Sequence, residues 1–241
     1  MLIVESDHAL ARLPFNGERR VLVIGAMRRF AADLRDAGWT VDLRRAPTLA
    51  EGVHAHAAEH QPDRVVMAHP TSRSGVALAR RLGRQLPVPV EVREPAGFIT
   101  APGELDQVLG RRQPRMDTFY REMRLRLGIL VDDHGRPEGG AWSMDKENRR
   151  PPPRTRDLGA PAPWLPPADD PLDRALRDEM AHLPRTGHGG QRVMAASARE
   201  AEQALDRFIE ARLAGFGPHQ DAMMDEDWAM SHALLSGPLN L

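Results

Sequence analysis

The chain has 241 residues, 41% of them hydrophobic and only 5% aromatic, with a net charge of −1 and no cysteine. That length holds one large or two small domains, and the apolar fraction supports a core and excludes wholesale disorder. The lack of cysteine excludes a disulfide scaffold, a thiolate metal site and a cysteine nucleophile, and the near-neutral charge leaves only local patches for polyanions. No apolar run approaches the roughly 20 residues of a membrane span, and the first residues lack the basic and apolar regions of a signal peptide. The expectation is a cytoplasmic protein with no membrane partner. Lys146 is the single lysine; GC-rich coding accounts for the arginine excess more simply than selection for forked contacts.

In chain order, residues 2–4 are a predicted strand. Residues 20–25 form a stronger one, β-branched and nearly unbroken, as in a strand buried on both faces. Residues 26–37 have a helical stripe of Met27, Phe30, Ala31 and Leu34, with Gly38 as its stop. Residues 39–43 are the next strand. Thr48 caps a helix reaching His60, with Glu51 at the capping-box spacing. Residues 64–68 are a strand, Ser72 or Ser74 opens a helix to about Leu86, and residues 88–92 are a last strand, at an edge because of Pro89. This alternation predicts an α/β fold, a doubly wound parallel sheet of Rossmann-like form with right-handed crossovers.

A short helix is expected over residues 102–110, and Pro114 suits the first position of another. Its stripe is Met116, Phe119, Tyr120, Met123 and Leu127, surrounded by Arg111, Arg112, Arg115, Arg121, Arg124 and Arg126. This basic face fits contact with phosphates, a solvated helix face, or pairing with acids of a second domain, and the pattern leaves these open. Residues 129–170 are rich in proline and glycine and form a long connection, with Trp142 and Trp164 as candidate anchors. Further helices are predicted over 171–183 and after Ser197, whose box partner is Glu200 and whose stripe is Ala201, Ala204, Leu205, Phe208, Ile209 and Leu213. Gly215 and Gly217 end that helix, and one or two short helices follow. The domains are therefore 1–128, a linker over 129–170, and a helical part over 171–241.

No catalytic motif stands in the chain. Gly187, Gly189 and Gly190 lack the pattern of a phosphate loop and are expected to form a flexible loop. Gly25 would lie at a strand's carboxyl end, where α/β sheets bind ligands. His54, His56 and His60 are close, and His56 and His60 share a helix face. Only Glu59 is acidic nearby and it points elsewhere, so a solvated face is expected and no metal site is assigned. Asp225, Glu226 and Asp227 read as a solvated turn.

Several strings, in order along the chain, resemble the photolyase/cryptochrome-related proteins of bacteria that carry an iron–sulfur cluster. They are Gly25-Ala26-Met27-Arg28-Arg29-Phe30-Ala31, the run from Arg112 to Arg124, Gly139-Gly140-Ala141-Trp142, and Asp145-Lys146-Glu147-Asn148-Arg149-Arg150-Pro151. Phe216-Gly217-Pro218-His219-Gln220-Asp221-Ala222-Met223 and His232-Ala233-Leu234-Leu235-Ser236 with Leu239-Asn240-Leu241 complete them. The resemblance implies an α/β antenna domain, a long linker and the start of an all-helical domain that binds FAD. It implies light-driven repair of ultraviolet pyrimidine lesions in DNA, notably the six-four photoproduct, or blue-light reception, with damaged DNA as partner of the full-length protein. Glu5, Val23 and Ala26 match positions facing a lumazine-type antenna chromophore. His232, Leu235 and Ser236 match the FAD phosphate region, although Ala233 stands where a serine is usual.

Residues 1–5 match the family's second strand and His69-Pro70-Thr71-Ser72-Arg73 replaces its Glu-Pro-Gly-Glu-Trp. The chain is therefore expected to be a fragment, inactive alone and in need of the missing helical domain or a partner to cover its helices. The 4Fe-4S cluster is expected only in the full-length protein. The alternative is a non-enzymatic α/β binding or regulatory module that docks a partner through exposed helices.

Overall fold

A computed structural model describes residues 1–94, 97–100, 104, 115–155, 157–168, 170–187 and 190–241. The fold is α/β with parallel strands. Strand β1 (Leu2–Ser6) leads through the short helix α1 (Asp7–Ala11) into α2 (Gly17–Asp36), which crosses back to β2 (Asp42–Ala46). Helix α3 (Leu49–His60) connects to β3 (Val65–Ala68), and α4 (Arg73–Gln85) crosses to β4 (Val90–Arg93). β1 pairs with β2 from Leu2↔Asp42 to Ser6↔Ala46, and β3 pairs with β4 from Val65↔Val90 to Ala68↔Arg93, both parallel. Among the described residues these are two separate pairs, which corrects the expected single doubly wound sheet.

The physical reason lies in residues 20–25, which are helical. Asn16 caps α2 by accepting from the Arg19 N–H, and Glu18 lies in its first turn. Val21 and Ile24 then fall on one face and are buried against Leu176 and Met180. Burying two such side chains stabilises by roughly 1.5–3 kcal/mol each, more than the ~1 kcal/mol spread of strand propensity. An apolar run of this length is ambiguous between strand and buried helix, and packing decides it. Without that strand, α2 becomes the crossover of the first pair, and Gly25 is mid-helix, not at a strand end.

The second core joins Ala50 and Ala57 of α3 to Leu82 and Leu86 at the end of α4. Both N-caps of these helices agree with the sequence: Thr48 accepts from the Glu51 N–H and Ser72 from the Gly75 N–H. Gly52 lets α3 lie directly on β1, since a Cβ there would sit 2.6 Å from a Val4 methyl.

Helix α5 (Met116–Leu127) follows, and the expected helix over 102–110 falls almost wholly outside the described residues, as do Arg111, Arg112 and Pro114. The predicted stripe of α5 is only partly covered: Met123 is buried, whereas Met116, Tyr120 and Leu127 are exposed. The connection that follows is pinned at intervals. Asp132 closes a turn by accepting from the His134 and Arg136 N–H groups. Helix α6 (Pro171–Glu179) starts at an Asp170 cap with proline in its first turn, and α7 (Ala198–Ala211) starts at Ser197, which accepts from Glu200. A single turn, α8 (Leu213–Phe216), follows, and the chain finishes through 3-10 turns at Gly217–His219 and Pro238–Asn240. No helix is long and apolar enough to cross a membrane among the described residues.

Candidate functional site

The Gly25–Phe30 string is a clamp between the α/β part and the helices that follow. Arg28 forks onto Glu5, with Nε 2.8 Å from Oε1 and Nη2 2.9 Å from Oε2, and also reaches Glu179 of α6 at 2.9 Å. Its neighbour Arg29 reaches Asp170 and Asp173, each at 2.8 Å. Asp173 in turn receives Arg192 at 2.7 Å, and Arg192 forks onto Glu200 of α7 at 2.7 and 3.1 Å. Arg192, Asp173 and Glu200 are all buried. Gly25 makes room for this network, because a Cβ there would lie 2.7 Å from Arg29 Nη1. Burial pushes the Asp170 carboxyl up, but hydrogen bonds from Arg29 and from the N–H groups of Asp173 and Leu172 outweigh it and hold the group below its ordinary range. Arg28 and Arg29 lie in a resemblance string, whereas no local pattern in the sequence marks their partners Asp173, Glu179 and Arg192.

The three positions matched to an antenna chromophore separate. Val23 lines a cleft of 310 Å³ at the carboxyl end of β1, with Val4, Ser6, Phe15, Met27 and Leu49. Glu5 is buried in the Arg28 ion pair, and strand alternation turns it away from Val4 and Ser6. Ala26 borders a different hollow, shared with Phe30, Ser197 and Leu241.

The His232–Ser236 segment lies at a small cavity of 80 Å³ whose lining includes Trp164, Phe208, Arg212, Trp228 and Ser236. His232 and Leu235 flank this lining without joining it. Buried Arg212 shapes the loop: Nη2 donates to the carbonyls of Met230, Ala229 and His232 at 2.6, 3.2 and 3.1 Å, and Nη1 donates to Pro161. Asp227 accepts from the Ala229 and Met230 N–H groups at 3.0 and 2.8 Å, so it is a structural cap, not a solvated acid. Met230 and Leu234 hold positive φ angles of 40° and 57°, a conformation that costs energy in bulky residues and persists where surroundings impose it. Among the described residues no carboxylate lies within ion-pair distance of Arg212, and its buried Nε has no partner. Burial, only partly offset by more distant Asp227, pushes this guanidinium below its ordinary value. Sequence reasoning passed over Arg212, which reads as one more charge on an amphipathic helix.

The arginines of α5 have structural duties. Buried Arg124 donates to the carbonyls of Ile129 and Trp142 at 3.2 Å, and also to Leu130. It lies 5.1 Å from the Trp142 ring centre, with Arg121 at 4.8 Å. Arg115 pairs with Asp117 and Arg126 with Glu104. Trp142 thus anchors the strap as expected, and the described arginines of the basic face, Arg115, Arg121, Arg124 and Arg126, are engaged. Further along, Arg150 N–H donates to Pro218 at 3.0 Å and Asp221 N–H to Asn148 at 3.2 Å, so two of the resemblance strings meet directly.

The histidine cluster departs from the expected solvated face. His56 is half-buried, with Nδ1 2.7 Å from Asp42 Oδ2. The acidic partner comes from the preceding strand, which spacing within the helix did not reveal.

Comparison with known proteins agrees with these strings. The profile of the family described as deoxyribodipyrimidine photo-lyase-related protein matches residues 1–187. The chain is also 30% identical over 230 residues to a (6-4) photolyase of Agrobacterium fabrum (strain C58 / ATCC 33970), covering 90% of this chain and 44% of that relative. The chain therefore spans less than half the length of the relative.

Proposed function

Because the chain belongs to the deoxyribodipyrimidine photo-lyase-related family, we propose that it is part of a flavoprotein that repairs ultraviolet lesions in DNA with light. The observation that carries this reading is the similarity to a (6-4) photolyase across 90% of the chain. Bound FAD would supply the light absorption and the electron given to the lesion. This chain's own contribution is to build one wall of its site. Arg212 holds the loop before His232, and its uncompensated charge together with Ser236 suits the phosphate side of a dinucleotide.

The cavity's 80 Å³ suits a phosphate, whereas pockets for drug-sized ligands measure ~300–1,000 Å³. Residues 1–241 alone are therefore expected neither to retain FAD nor to repair DNA. The exposed apolar side chains Leu205, Ile209 and Leu213 support a reading in which further helical surface covers them. The 310 Å³ cleft at β1 has the size of a single heteroaromatic ligand, and Val23 is the matched residue best suited to touch an antenna lumazine there; Glu5 would act through Arg28. A cysteine-free chain offers no thiolate for an iron–sulfur cluster.

The test is a visible absorption spectrum and photorepair assay on the purified chain, alone and with the remainder of a full-length relative supplied in trans. Flavin retention and repair of (6-4) lesions only in the combined sample is the expected result. Stoichiometric flavin on residues 1–241 alone would contradict the partial-site reading, and no flavin in either sample would contradict the function.

A further inference from the structure

We propose that Asp42, His56 and His60 form a binding site for a divalent transition-metal ion of the zinc class, separate from the flavin and antenna regions. α3 runs back along the β1–β2 pair, so its last turn lies over Asp42, the first residue of β2. His56 and His60 are four apart and share a face of the helix. His56 Nδ1 stands 2.7 Å and His60 Nε2 3.7 Å from Asp42 Oδ2. One ligand atom from each of the three residues falls within 4.8 Å of the others. Tetrahedral zinc with nitrogen and oxygen ligands at ~2.0–2.1 Å needs donors about 3.3 Å apart. The two separations to Asp42 Oδ2 bracket that figure, and binding would draw the three donors in from their span of up to 4.8 Å.

The surroundings suit a cation site of modest affinity. Asp42 brings a carboxylate, and the two imidazoles bring neutral nitrogen donors, a ligand set that suits zinc. Glu59 Oε1 lies 3.7 Å from His60 Nε2 but outside the group of three, which leaves the fourth position to water. Arg44 bridges Asp42 at 2.8 Å and Glu59 at 2.7 Å. Its positive charge opposes the ion, while its hydrogen bonds orient both carboxylates, the usual task of an outer partner. A bound ion would join β2 to α3 at the edge of the strand pair opposite the Val23 cleft.

The experiment is titration of the untagged, chelator-treated 241-residue chain with Zn2+ by calorimetry and with Co2+ by visible absorption. One equivalent of Zn2+ with a Kd of about 1–10 μM is expected, with the ligand-field bands of tetrahedral Co2+. His60→Ala and Asp42→Asn should weaken binding at least tenfold, while His54→Ala, on the same helix but outside the cluster, should leave it unchanged. His60 is half-exposed, so its replacement preserves the fold; the metal-free melting curve of each variant checks this. A Kd weaker than about 100 μM in the parent chain, or undiminished binding by His60→Ala, would overturn the assignment and leave an Arg44–Asp42–His56 ion-pair network.

Discussion

Two buried arginines, equally hidden from water, are balanced differently in two regions. At the α2–α6–α7 junction, Arg192 is neutralised by Asp173 and Glu200 and also donates to the Met194 carbonyl at 2.6 Å. In the loop before His232, Arg212 meets backbone carbonyls from four residues and no carboxylate within ion-pair distance among the described residues. The difference follows the backbone. Arg192 lies in the segment before α7, between helices whose carbonyls are largely satisfied by the helices themselves, and its charge is met by acids on α6 and α7. In irregular segments the carbonyls themselves need donors, and a five-donor fork supplies several at once. Arg124 repeats the second pattern on residues 129, 130 and 142, and Arg20 repeats it on Leu10, Leu13 and Pro184. Arg212 differs from those two in carrying an unpartnered buried Nε beside a cavity.

The largest expected effect tests the paired side. Arg192→Met strands Asp173 and Glu200 in the interior and should cost about 3–5 kcal/mol in urea unfolding. Arg212→Met removes donors from several carbonyls, at roughly 1–3 kcal/mol for a group left unsatisfied, but also relieves an uncompensated charge. Its loss should be the smaller of the two, about 2 kcal/mol. It should also abolish any stabilisation of the parent chain by added phosphate in a thermal melt. A greater loss for Arg212→Met than for Arg192→Met breaks the comparison.

Gly52→Ala forces a methyl against Val4 on β1 and should cost about 1–3 kcal/mol by the same unfolding measurement. An unchanged midpoint would mean that α3 shifts freely on the strand pair.

Acid titration sharpens the junction further. The hydrogen bond from Arg28, opposed by burial and aided by the charges of Arg28, Arg45 and His182, holds the Glu179 carboxyl below its ordinary value of 4.5. A carboxyl with a depressed folded pKa contributes stability that is full above the unfolded value and is lost as pH falls through the folded one. Between about pH 5 and about pH 3 the parent chain should therefore lose stability faster than Glu179→Gln. Parallel curves would remove Glu179 from the clamp's electrostatics. The smallest effect belongs to Arg121→Ala, which removes one exposed cation from the Trp142 face and should cost about 0.5–1 kcal/mol. Trp142 fluorescence would report the change.

Residue by residue, local signals read well where they depend on near neighbours. The caps at Thr48, Ser72 and Ser197 hold because each cap is a contact between residues three apart. The strands over 65–68 and 90–93 and the proline-rich connection are equally legible from composition and alternation. Residues 20–25 are ambiguous in sequence because β-branched content is the same signal for a buried strand and a buried helix, and the deciding neighbours, Leu176 and Met180, lie about 150 residues away.

The charged groups divide in the same way. The resemblance strings alone identified Gly25-Ala26-Met27-Arg28-Arg29 and His232–Ser236 as positions of interest, and the amino-acid sequence by itself determined the α/β class, the capped helices and the family. Tertiary structure decided which arginines pair with acids and which bind carbonyls, that Val23 borders a cleft while Glu5 does not, and that Asp42 joins His56 and His60. Each of these depends on segments distant in the chain sharing a small volume, where desolvation forces every buried charge and carbonyl to find a partner.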